Sequence, residues 1–217
     1  MQIAEPRHTF YLRCLTTFRR LTALVLLGLL LSAPDLSAKP QLTVESVTSS
    51  ATLPAANPAF KHPNDLHQVF FLQRNSNANT IVWVAQFDPD GRLNPDRPIA
   101  GYWRRFAGRG HVMAFRWYER VFGFGTKSRE LADGSGFEVR FNGIKSEQLL
   151  LKQNGPFDAA LYTRQNGRDL KMIYGYLEVD ESGLLPKVVR LRLYTSDPKT
   201  GQYSTHTIAV SGGAFRE

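Results

Sequence analysis

From Asp65 onward, apolar and polar residues alternate in short runs separated by turn-forming residues, the pattern of half-buried β-strands. Such runs occupy Gln68–Gln73, Thr80–Phe87, Ile99–Phe106, Gly136–Phe141, Gln148–Lys152, Phe157–Thr163, Leu170–Val179, Val188–Tyr194 and Tyr203–Val210. Their spacing of roughly ten to fifteen residues is that of sandwiches and barrels. In Val188–Tyr194 the alternation puts Val189, Leu191 and Leu193 on one face and the cations Arg190 and Arg192 on the other. The run Leu170–Val179 has apolar or aromatic residues on both faces, with Ile173, Leu177 and Val179 opposite Met172, Tyr174 and Tyr176. A strand covered on both sides is a central one. One stretch follows a different period: Met113, Trp117 and Val121 recur at i, i+4 and i+8 in His111–Phe122, which predicts a short amphipathic helix ended by Gly123. The expected fold is mainly β, an antiparallel barrel or closed sandwich with one short packing helix.

The first 63 residues read differently. Arg7, Arg13, Arg19 and Arg20 precede the apolar run Leu21–Leu31, and small residues follow as far as Ala38. A charged segment, a short apolar segment and a small residue at the cut describe a secretory signal peptide. The run is well short of the roughly 20 apolar residues that a spanning helix requires. Residues 39–63 are rich in Pro, Ala, Ser and Thr, with one strand-like patch at Leu42–Ser46, and predict a flexible lead-in to a single domain over 64–217. The expected location is the periplasm or the exterior, with no transmembrane span after cleavage.

Export changes how the composition reads. The chain has 217 residues, 27 Lys+Arg against 19 Asp+Glu and one cysteine, Cys14. Removing residues 1–38 leaves 23 basic against 17 acidic residues and no cysteine. That excludes thiol chemistry and disulfide staples from the exported domain. Residues 101–129 interleave seven Lys/Arg with eight aromatics against Glu119 alone, a pattern that inside a cell suggests nucleic acid. In an envelope the partners of such a surface are anionic lipids or glycans. No nucleic-acid partner is expected.

Catalytic and metal motifs are weak. Asp88-Pro-Asp90-Gly91 with Asn94 and Asp96 has oxygens for calcium, but Gly falls fourth and Ile99 stands where a bidentate Glu belongs, so a Pro-Asp-Gly turn explains it better. Gly123-Phe-Gly-Thr-Lys127-Ser128 lacks the glycine spacing of a phosphate loop. His62, His67, His111 and His206 show no ligand or nucleophile spacing. No metal, cofactor or catalytic residue is expected. Gln73-Arg-Asn-Ser-Asn-Ala-Asn-Thr80 is the densest polar segment, set between two apolar strands. It reads as a hairpin whose Arg74, Asn77 and Asn79 could hydrogen-bond a polar or anionic ligand.

The stretches Val69–Trp83, Gly91–Trp103 and Tyr118–Gly125 resemble the exported bacterial proteins grouped as domain of unknown function 4833. The similarity covers most of residues 66–217. The resemblance places its Arg-x-x-Asn-x-Asn loop on Arg74, Asn77 and Asn79, its Tyr-Trp pair on Tyr102 and Trp103 and its aromatic-Gly ending on Phe124 and Gly125. It implies an envelope location and a β-rich fold, and supplies no activity.

These readings favour a non-enzymatic binding module for a small or anionic envelope ligand. Its site residues are Arg74, Asn77, Asn79, Tyr102 and Trp103, with Tyr162, Tyr174, Tyr176 and Met172 lining a barrel interior. The alternatives are an envelope hydrolase whose site assembles only in the fold, and a structural partner of an envelope complex acting through the Tyr102–Phe124 surface. Export itself has a direct test: N-terminal sequencing of the envelope form should begin near Lys39, and an intact Met1 there would disprove cleavage.

Overall fold

The structure, a computed structural model, describes residues 41–183 and 187–211, and these belong to one compact unit beginning at Lys39. The expected signal segment lies outside the described residues. No helix among them is long and apolar enough to cross a membrane. The fold is mainly β with one short helix. Its strands are β1 (Gln41–Ser50), β2 (Gln68–Arg74), β3 (Asn77–Ala85), β4 (Ile99–Arg105), β5 (His111–Ala114) and β6 (Thr126–Glu130). They continue with β7 (Gly136–Phe141), β8 (Ile144–Gly155), β9 (Asp158–Gln165), β10 (Arg168–Asp180), β11 (Lys187–Ser196) and β12 (Tyr203–Ser211).

The long strand β10 organises the sheet. One edge pairs with β11 along Lys171–Asp180. The other pairs first with β9, at Arg168–Lys171, and then with β2, at Tyr174–Leu177. The β2 pairing is parallel, so the sheet is mixed rather than purely antiparallel. Two arms therefore leave the same edge of β10: β2-β3-β4-β5 and β9-β8-β7-β6. They curl toward each other until β6 lies near β4. On the far side β11 carries β12 and then β1 as a wing. The result is a curled half-barrel, not a closed one.

The inside of the curl is filled. Phe70, Leu72, Ile81, Trp83 and Trp103 from one arm meet Phe137, Val139, Phe141, Leu149, Leu151 and Leu161 from the other. Trp83 lies at the centre, its ring 4.6 Å from that of Phe141 and 5.6 Å from that of Phe70. Its approach to β4 depends on Gly101, where an added Cβ would meet the Trp83 ring at 2.8 Å and Phe115 at 2.7 Å. The packed interior leaves no lumen for Met172, Tyr162, Tyr174 and Tyr176 to line together. A register shift between Met172 and Tyr174 sends Met172 into this core and both Tyr174 and Tyr176 to the opposite face. The expected alternation fails there because a bulge adds one residue to the ladder.

The opposite face carries a second cluster of Phe71, Val82, Val84, Tyr174, Tyr176 and Tyr194. The segment before β2, expected as a flexible lead-in, packs over it. Leu53, Ala56 and Phe60 pack on the cluster, and Tyr174 Oη donates to Pro54 O at 2.6 Å while accepting from Ala56 N at 2.9 Å. Arg104 ion-pairs with Asp65, and Gln73 Nε2 donates to Lys61 O at 2.9 Å. The strand-like patch extends into β1, paired with β12. Proline and serine content gave no sign of these long-range contacts.

Two further expectations change. His111–Ala114 is edge strand β5 rather than helix, so the helical portion shrinks to a turn at Trp117–Glu119 that continues as a wider π-type turn over Arg120–Phe124. The basic face of β11 is neutralised, since Arg190 pairs with Glu45 and Glu178 and Arg192 also pairs with Glu178.

Two histidines make the fold sensitive to acid. His206 is 3% exposed, with Nε2 3.1 Å from Thr195 Oγ1. His62 lies tilted against the rings of Phe71 and Tyr174, at 5.0 and 4.9 Å. Burial lowers the pKa of both, because a charged imidazole loses its hydration there. Below the unfolded value of about 6.5 the unfolded chain binds more protons, so stability falls with pH until the folded values are passed. The urea midpoint should therefore decline between pH 7.5 and 5.5, and His62→Phe with His206→Gln should remove most of that decline. A second loss follows at lower pH, as Asp169, held at about 2 by Arg164 and then Lys152, becomes protonated.

Candidate ligand-binding site

The hairpin between β2 and β3 is the polar segment singled out by composition. Arg74 and Asn77 pair directly, leaving Asn75 and Ser76 as its tip. Asn75, which no motif marked, clasps the tip to β10. Its Nδ2 donates to Val179 O at 3.1 Å, its Oδ1 accepts from Val179 N at 2.8 Å, and its backbone N–H donates to Leu177 O at 3.1 Å. These bonds continue the parallel β2–β10 pairing past the end of the strand. Asn77 Oδ1 accepts from Asn79 N at 3.0 Å, a local turn bond.

On the inner face this hairpin forms one end of the half-barrel. A cavity of about 50 Å³ opens there, walled by Leu72, Gln73, Arg74, Asn79, Ile81, Trp103, Phe124, Leu177, Val179 and Val188. At roughly 10–15 Å³ per water, it holds a few waters or one small polar headgroup. The Arg74 guanidinium lies 5.9 Å from the Trp103 ring centroid, and that of Arg105 lies 5.1 Å away. Both are within range of cation–π attraction. Trp103 is 5% exposed, and among the described residues its Nε1 has no hydrogen-bond partner. Buried donors are nearly always satisfied, so an acceptor belongs beside that indole. Phe124 meets Trp103 edge-on at 5.4 Å and closes the wall.

Three of the anticipated site residues, Arg74, Asn79 and Trp103, therefore share one cavity. The others are elsewhere. Asn77 serves the turn. Tyr102 faces the second cluster beside Asp65, and burial followed by that carboxylate pushes its hydroxyl up to about 12. Tyr174 lies flat between Phe71 and Tyr194, at 5.0 and 4.1 Å, and Tyr176 carries the Arg192 guanidinium 5.0 Å above its ring. Tyr162 pairs with Lys152, 5.6 Å from the ring, and its Oη is 3.4 Å from Asn154 Oδ1. Alternation placed Leu177 and Val179 on one face of β10 but missed Val188, which reaches the cavity because the register shift after Glu178 skips Val189 in β11.

The other polar loops have structural explanations. Asp88 Oδ1 accepts from Asp90 N and Arg92 N, and Asn94 Oδ1 from Asp96 N and Arg97 N, which is the turn reading of that loop. No group of three potential metal ligands occurs among the described residues. His67 and His111 donate through Nδ1 to the carbonyls of Phe157 and Gly108.

A mainly β half-barrel with a small mixed apolar and cationic cavity at one end defines the class of protein. Residues 70–206, more than half of the chain, match the family described as Domain of unknown function (DUF4833), and the chain belongs to that family. No curated protein and no solved structure matches it.

The clasp separates scaffold from site. Asn75→Ala removes two side-chain hydrogen bonds and should cost about 1–2 kcal/mol in urea unfolding. Asn77→Ala, losing one turn bond, should cost about 0.5–1 kcal/mol. A larger loss at Asn77 would reverse the assignment.

Proposed function

We infer that this is an exported, non-enzymatic binding protein that holds a small anionic ligand, a carboxylate or phosphate headgroup, in the cavity at the β2–β3 end. The observation that carries this reading is the meeting of Arg74, Asn79 and the buried Trp103 indole on one mainly apolar wall. A guanidinium presents paired N–H donors in the geometry of a carboxylate or phosphate. The indole N–H supplies one more donor, and Asn79, whose Oδ1 accepts from Ala107 N at 3.4 Å, offers its amide N–H groups. The apolar remainder, Leu72, Ile81, Leu177, Val179 and Val188, strengthens each polar contact by excluding water. Export is supported by the charged and apolar N-terminal segments.

Native mass spectrometry of the protein purified from its own envelope tests this reading. A small anionic adduct should be retained. Arg74→Lys keeps the charge but loses the paired geometry, and should lower retention roughly tenfold or more with little change in melting. Trp103→Phe keeps the wall and removes its donor, and should weaken retention several-fold. Equal retention in wild type and Arg74→Lys would sink the cavity as the site.

A further inference from the structure

The turn Trp117–Phe124 presents its two sides to different surroundings. Its inner side is tied down. Phe124 packs into the core against Trp103 and Phe115, and its carbonyl accepts from Trp83 Nε1 at 3.1 Å. Asn142 Nδ2 and Gly125 N both donate to Arg120 O, at 2.8 and 3.1 Å, and Gly143 N donates to Gly123 O at 2.7 Å. Gly125 is required by this closure, since a Cβ there would stand 2.0 Å from Arg120 O. The first turn is capped, Arg116 N donating to Glu119 Oε2 at 2.7 Å.

The outer side is apolar and bare. Trp117 is 71% exposed, Phe122 67% and Val121 52%, with the two rings 6.3 Å apart. A short turn anchored this firmly could have turned these side chains inward. Instead it holds a tryptophan, a phenylalanine and a valine in water, where large apolar groups are disfavoured. Four cations accompany them in sequence: Arg109, Arg116, Arg120 and Lys127, all exposed. The single carboxylate in that stretch, Glu119, is occupied with the helix cap. An aromatic tip flanked along the chain by exposed guanidinium and ammonium groups matches one kind of surface. Tryptophan and phenylalanine settle at the boundary between headgroups and acyl chains, while Arg and Lys attract anionic headgroups.

We propose that the Trp117–Val121–Phe122 tip docks the protein on an anionic lipid surface, the aromatics entering the interface and Arg116, Arg120 and Lys127 holding the headgroups. This surface lies on the outer side of the turn and does not depend on the cavity reading.

The chain carries its own reporter. Of its three tryptophans, Trp83 and Trp103 are 2% and 5% exposed, so Trp117 alone can meet lipid. The full-length chain is mixed with vesicles of brominated phosphatidylglycerol, and tryptophan emission is followed as bromine quenches on contact. Emission from Trp117 should be quenched, and Trp117→Phe should abolish the quenching while leaving binding by flotation intact. Arg120→Gln with Lys127→Gln should raise the lipid needed for half-maximal quenching roughly tenfold, because each cation near an anionic surface contributes a several-fold gain. High salt should act the same way. Flotation without quenching would mean that another part of the chain holds the lipid, and would overturn the proposal. Equal quenching by brominated phosphatidylcholine would remove the role of the cations. Protection of Trp117 from acrylamide in the lipid-free protein, increasing with protein concentration, would assign the tip to a second copy of the chain instead.

Discussion

Trp83 is the contact on which the half-barrel depends. The two arms of the sheet leave one edge of β10 and would splay apart, since no hydrogen-bonded ladder joins β6 to β4. Trp83 spans that gap from the middle. Its ring rests on bare backbone at Gly101, touches Phe70 beside it and Phe141 on the other arm, and its N–H reaches the carbonyl of Phe124. Removing a buried tryptophan of this kind ordinarily costs about 3–5 kcal/mol, a large share of a domain's net stability. Through Phe124 the same contact also sets the far wall of the cavity and the position of the exposed turn.

The charge distribution is more economical than the composition suggests. Much of the basic excess is spent on intramolecular pairs: Arg104 with Asp65, Arg129 and Arg140 with Glu138, Arg164 and Lys152 with Asp169, and Arg190 and Arg192 with Glu178. Most of these lie at the surface, where an ion pair contributes little to stability, but they remove single-signed fields from the sheet faces. The exposed cations on either side of Trp117 stand out against that background. Arg74 contributes in another way, as the cation beside an aromatic ring at the end of a hairpin.

The strand content was legible because alternation is a local property: a residue's face follows from its parity along the strand. It remained legible until a register shift intervened. The bulge between Met172 and Tyr174 reversed the faces of the residues before it, and the shift after Glu178, which skips Val189 in β11, brought Val188 to the cavity. Helical period misled at His111–Phe122, where Met113 faces the core from an edge strand and Trp117 and Val121 face solvent. Three spaced apolar residues satisfy a helical template whether or not anything lies beneath them.

By itself, the sequence determined that the chain is mainly β, that Arg74 and its asparagines form a hairpin between two buried strands, and that thiol chemistry has no place in the domain. Each of those follows from near neighbours along the chain. Only the tertiary structure decided that the segment before β2 is a cover, that Arg74, Asn79 and Trp103 share a wall while Tyr102 and Tyr174 turn away, and that Asn75 is the clasp. Those outcomes depend on which strand pairs with which. The parallel pairing of β2 with β10 joins residues about a hundred positions apart, and no local pattern encodes a contact at that separation.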